Sequence, residues 1–161
     1  MKTYFQSIVS FLLLGSSILT SSTKVLAQGA TDTKVSTCTN STINSSLVSA
    51  NKASEKKGYT LTTFQIVDLP SKTYLPIALN TVSGAQYEIN FVTHSKNKEY
   101  TVAVIDENRK EVMKTHKKIK AVGDEIMNAT FKPTKPGNYW IVLSQKVNNN
   151  ESCSGISILK K

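Results

Sequence analysis

Between Ala85 and Phe91 every second residue is apolar: Ala85, Tyr87, Ile89 and Phe91 alternate with Gln86, Glu88 and Asn90. A period of two sends alternate side chains to opposite faces of an extended strand. The pattern recurs in Leu75/Ile77/Leu79, Tyr100/Val102/Val104, Met127/Ala129/Phe131, Tyr139/Ile141/Leu143 and Ile156/Ile158. Turn formers punctuate it: Gly84, Asp106-Glu107-Asn108-Arg109, Gly123, Pro133, Pro136-Gly137 and Asn148-Asn149-Asn150. Turn signals spaced roughly 8–12 residues apart are the mark of a sandwich or barrel. The chain is therefore expected to be all-β, an eight-stranded antiparallel β-sandwich of jelly-roll type with one short N-terminal helix.

Local departures refine this reading. Tyr59 and Leu61 share one parity, but Phe64 and Ile66 take over one residue out of step, which predicts a bulge near Thr62-Thr63. Pro76 inside the Leu75–Leu79 run predicts an edge strand, because proline donates no ladder hydrogen bond. Asp106 to Arg109 turns into a hairpin strand over Glu111 to His116, and Lys117 to Asp124 reads as a loop. Ahead of the strands, Ile43, Leu47, Ala50 and Ser54 recur at helical spacing. Asn40 or Ser41 can cap this helix, Lys56-Lys57 suit its C-terminal dipole, and Gly58 can end it, giving roughly residues 41–57.

The N-terminus carries an address. Lys2 precedes an apolar run from Ile8 to Leu19, and Val25-Leu26-Ala27 offers small residues where a signal peptidase reads. The run is short for a membrane span of ~20 residues. Residues 1–27 are expected to be an export signal, 28–40 a small, polar, flexible leader, and 41–161 one helix-plus-sandwich domain. The destination is periplasmic or extracellular.

The whole chain has 20 basic and 11 acidic residues. Lys2 and Lys24 fall in the expected signal and no acid does, so 18 against 11 leaves the remainder at +7. Arg109 is its only arginine. Base and phosphate recognition draws on arginine's bidentate fork, so a lysine surplus argues against nucleic acid. It suits an anionic envelope polymer or lipid head groups, while solubility with a lysine-rich compositional bias would give the same surplus.

Cys38 and Cys153 stand near the two ends of the expected domain. Two cysteines in an exported chain are expected to pair. They lack the close C-x-x-C spacing of a redox pair, and two thiols alone make a poor zinc site. Neither directly follows the expected cleavage point, which argues against a lipid anchor there.

The stretch from Ile77 to Leu143 resembles the bacterial pre-peptidase C-terminal-type β-sandwich. The resemblance rests on Gly84 before Tyr87-Glu88-Ile89, on Val102-Ala103-Val104-Ile105-Asp106 and its hairpin, and on Phe131-Lys132-Pro133 ahead of Pro136-Gly137-Asn138-Tyr139-Trp140. Glu107-Asn108-Arg109 stands where that family has glycine after the aspartate. The flanks are similar to small exported proteins of flavobacterial type. The resemblance implies a non-catalytic sandwich that binds or stabilises something, and it transfers no site.

Chemistry-bearing residues are sparse. His94 and His116 lie in lysine-rich polar surroundings without a glycine-flanked serine elbow. The adjacent carboxylates Asp106/Glu107 and Asp124/Glu125 fall at turns, where acids cap backbone groups. No D-x-D-x-D-G calcium loop occurs, and neither a cofactor nor a metal is expected. Lys110, Lys114, His116, Lys118 and Lys120 share parity, opposite Met113 and Ile119, and form a candidate anionic-ligand stripe. An edge strand blunted with lysine against aggregation would look the same. The leading expectation is an exported, non-enzymatic binding or interaction module of the bacterial envelope. A secreted hydrolase or its accessory domain, using Asp106, Glu107 or His116, is a second reading, and a secretion-sorting or cargo domain a third.

Overall fold

The computed structural model describes residues 36–148 and 152–161. The expected export signal, the leader up to residue 35 and the turn at Asn149-Asn150 lie outside the described residues. The chain order is α1 (Ser41–Glu55), β1 (Thr60–Asp68), β2 (Leu75–Thr81), β3 (Tyr87–Val92), β4 (Glu99–Ile105), β5 (Glu111–Lys118), β6 (Ile126–Phe131), β7 (Gly137–Lys146) and β8 (Cys153–Lys160).

The strands form two four-stranded sheets, ordered β1-β8-β3-β6 (sheet A) and β2-β7-β4-β5 (sheet B). All pairings are antiparallel, and early and late strands interleave in each sheet, which is the jelly-roll arrangement. The alternating apolar residues fill the space between the sheets. Tyr87, Ile89, Phe91, Tyr100, Val102, Val104, Ile141, Leu143, Ile156 and Ile158 are essentially inaccessible. Phe91 meets Tyr100 edge-on at 5.4 Å, and Phe131 meets Tyr139 at 5.2 Å, each pair joining one sheet to the other. β2 and its Pro76 lie at an edge, as the proline predicts. The bulge falls where the parity breaks: Leu61 pairs with Leu159 and Thr63 with Ile158. The extra residue, Thr62, turns its hydroxyl onto the Ile158 carbonyl at 2.8 Å.

Two expected boundaries move. β5 continues through Lys117 and Lys118, because these residues find partners in Tyr100 and Glu99 rather than entering a loop. The described end of the leader is held: Asp68 donates to the Ser36 carbonyl at 2.8 Å, and Thr37 bridges to Val67. Cys38 is disulfide-bonded to Cys153 across 115 residues, as expected for an exported pair.

The helix supplies a third layer. Asn40 caps it, accepting from the Ile43 amide at 3.1 Å. Ile43 and Leu47 pack on Ile66, Val92 and Ile126 from the outer face of sheet A. Gly155 permits this approach, since a Cβ there would lie 3.0 Å from Ile43 and 3.1 Å from Leu47. Further along, the interface turns polar. Asn90 donates to Asn51 at 3.0 Å, Asn128 donates to Asn90 at 2.6 Å, and Ser157 and Ser54 bond Asn51 and Glu88. Glu88 and Asn90, which alternation alone assigns to an outer polar face, are thus buried beneath the helix. At one end of the sandwich, buried Gln145 accepts from Thr93 and Ser154 and donates to the Leu69 and Ser152 carbonyls. No buried side-chain nitrogen or oxygen among the described residues lacks a partner, as a stable polar interior requires.

Candidate binding face

Sheet B is covered on its inner face by the core and presents its other face outward. Register arranges that outward face in rows. Tyr74, just ahead of β2, lines one concavity with Ser144, and Thr101 pairs with both Ser144 and His116. One row away, Glu99 stands between Lys146 and Lys118. In the opposite direction Ala103 stands between Val142 and Lys114, and Val142 faces Pro76. The next row holds Ala78, Trp140 and Ile105. Two aromatic rings on this face reach solvent: Tyr74 is 65% exposed and Trp140 38%.

Three of the five stripe residues belong to this face. Lys114, His116 and Lys118 alternate outward along β5, while Met113, Thr115 and Lys117 turn inward. Lys110 leaves the row, because Val104 pairs with Met113 and Ile105 with Glu111, so Val112 is an extra residue that reverses the parity. It lines a separate concavity with Met113, Phe131 and Tyr139. Lys120 lies past the end of β5, in the turn that Asp124 closes by accepting from the Lys120 and Ala121 amides at 3.0 Å. These bonds, with Lys117 at 3.5 Å, hold the Asp124 carboxyl below the usual aspartate range. The Tyr100 hydroxyl donates to the Asp124 carbonyl at 2.6 Å. Burial, reinforced by Asp124 and Glu125, raises its pKa well above the ordinary tyrosine value.

At the Tyr74 end the face deepens into an open concavity of about 460 Å³. Lys72 overhangs it from a left-handed position (φ 65°) in the turn that Thr73 closes onto the Pro70 carbonyl. His116 Nδ1 lies 3.0 Å from Thr101 Oγ1, and its Nε2 lies 3.7 Å from Glu99, whose other oxygen is 3.7 Å from Lys146. Lys114 lies 3.3 Å from Glu111. Exposed pairs of this kind contribute only ~0–1 kcal/mol, so an incoming anion can displace them. Tyr74, Lys72 and Lys146 were missing from the sequence-derived stripe. For Lys146 the signal is parity: Trp140, Val142, Ser144 and Lys146 all oppose the inward Tyr139, Ile141 and Leu143.

The other candidates serve local structure. Asp106 Oδ1 accepts from the Asn108 and Lys110 amides at 2.9 Å, and Glu125 accepts from Gly123 at 2.6 Å. His94 Nδ1 accepts from the Lys96 amide at 3.2 Å. Among the described residues no three His, Cys, Asp or Glu side chains converge in a metal-binding group. No helix there is long and apolar enough to cross a membrane.

No family model and no curated protein matches the chain. Among solved structures it is similar to the pre-peptidase C-terminal domain of a collagenase from Bacillus anthracis, with 18% identity and a TM-score of 0.42. That likeness covers 63% of this chain and 90% of the other. It is also similar to a 4-O-methyl-α-glucuronidase with specificity for decorated arabinogalactans, with 9% identity and a TM-score of 0.40, over 60% of this chain and 14% of that one. The first is a solved domain of the kind that the residue pattern resembles.

Proposed function

We propose that this chain is an exported, non-enzymatic binding module of the bacterial envelope, and that the outer face of sheet B takes an anionic ligand. The observation that carries the reading is the row Lys114, His116 and Lys118 on an edge strand, beside a concavity that adds Lys72 and Lys146. A summed field from such a cluster attracts polyanions without any single strong contact. The export signal proposed for residues 1–27 would deliver the domain, proposed as 41–161, to periplasm or cell exterior, where such polymers lie. The Cys38–Cys153 disulfide supports an oxidising destination. Asp106, Asp124 and Glu125 are engaged with turn amides, which favours binding over catalysis at those carboxylates.

Lysines on an edge strand also deter sheet-to-sheet aggregation, and one pair of substitutions separates the roles. Lys114→Gln with Lys118→Gln should weaken capture of an anionic polymer severalfold at low salt, and high salt should abolish the difference from the native protein. Unchanged capture, with new self-association, would assign these lysines to edge protection instead.

A further inference from the structure

We infer that the outer face of sheet B is built for a linear anionic polysaccharide, with Tyr74 and Trp140 as stacking platforms for its rings. The inference rests on the reading of this face as an anion-binding surface and names the ligand class.

The face carries two parallel rails. One is aromatic and apolar: Tyr74, Pro76 and Ala78 follow β2, and Trp140 on β7 pairs with Ala78. Ala78 lies four positions beyond Tyr74, so the two rings are set roughly 13 Å apart along the strand direction. Pro76 and Ala78 are exposed between them, and Val142 is half-buried beside them. The other rail is basic, the Lys114, His116 and Lys118 row of β5. β7 and β4 lie between β2 and β5, so the β2 side of the aromatic rail runs roughly 14 Å from the basic row and Trp140 on β7 roughly 10 Å from it. Lys72 and Lys146 bring further positive charge to the Tyr74 end.

A chain of pyranose rings presents apolar C–H faces, hydroxyl edges and, when anionic, carboxylates at regular intervals. The exposed rings accept the first, and the Thr101 and Ser144 hydroxyls between the rails accept or donate to the second. The lysines meet the third. A lipid head group would use the charge but not an extended aromatic rail. Tyrosine and tryptophan also provide contact area at low entropic cost, which suits a shallow open site.

The test measures binding of the purified, oxidised protein to alginate, to neutral dextran and to vesicles containing phosphatidylglycerol. Native protein, Tyr74→Ala, Tyr74→Phe, Trp140→Ala and the Lys114→Gln/Lys118→Gln pair are compared after circular dichroism has shown each to be folded. The expected result is alginate binding, weakened about tenfold by Tyr74→Ala, as loss of an aromatic anchor does. Tyr74→Phe should keep it, Trp140→Ala should weaken it, and dextran should bind far less. Alginate binding that the lysine pair weakens but neither aromatic-to-alanine change affects would overturn the aromatic rail and leave the anionic face standing. Vesicle binding without alginate binding would overturn the polysaccharide in favour of a head group. Binding to neither would overturn both readings.

Discussion

Asn90 Nδ2 lies 3.0 Å from Asn51 Oδ1, so that two buried amides join the central strand β3 to the helix above it. Ser157 donates to the same Asn51 oxygen and Asn128 to Asn90, so each side chain satisfies more than one neighbour. Asn90→Ala removes the donor that Asn51 and Ser54 share and the acceptor of Asn128, and the lost hydrogen bonds are expected to cost about 1–3 kcal/mol together. Urea unfolding measures it. A double-mutant cycle with Asn51→Ala should show coupling, because the two residues share one network.

Gly155 tests how closely the helix must sit. Gly155→Ala places a methyl 3.0 Å from the Ile43 side chain and 3.1 Å from that of Leu47, so both must give by a few tenths of an ångström. The expected loss is about 1–3 kcal/mol, the usual cost of overpacking. Sheet B is not part of this contact, so ligand capture by the folded variant should match the native protein.

The disulfide should matter more for stability than for binding. It closes a loop of 115 residues, for which the chain-entropy model gives about 4–5 kcal/mol. Cys38→Ser/Cys153→Ser is expected to lower the midpoint of denaturant unfolding accordingly. A fall well below that range would mean that contacts between α1 and sheet A hold the N-terminal segment without the bond.

Asp124 gives stability an acid-sensitive part. Its folded-state pKa is depressed, chiefly by the Lys120 and Ala121 amides. The folded state therefore binds this proton less readily than the unfolded chain does. The contribution is present above the unfolded value of about 3.9 and is lost as pH falls through the lower folded value. The stability gap between native protein and Asp124→Asn should shrink below about pH 4. A gap independent of pH would remove Asp124 from the account.

Much of the sandwich was legible because its core obeys one rule. Tyr87/Ile89/Phe91, Tyr100/Val102/Val104 and Tyr139/Ile141/Leu143 all point inward as period-two alternation demands. Pro76 marked its edge, and the parity break at Thr62 marked its bulge. The helical cover over sheet A was not legible, because alternation treats every polar residue as outward. Glu88 and Asn90 are buried only because Asn51 and Ser54 arrive opposite them from a distant helix. Ser54 already sat in the helix's periodic stripe, the one hint of a polar partner. Lys110 fell out of the stripe for a different reason. The bulge at Val112 reverses parity within an otherwise regular strand, and its extra residue is apolar and 44% exposed. Tyr74 is not legible in the alternation because it precedes β2, and only the folded chain brings it to the concavity that Ser144 lines.

Sheet B's outer face is proposed to hold an anionic ligand through the β5 row. Titrating alginate into native protein and into the Lys114→Gln/Lys118→Gln variant, at low and high salt, tests it most directly. Binding at low salt should weaken severalfold in the variant, with both proteins converging as salt rises. Equal affinities for the two proteins at low salt would contradict it.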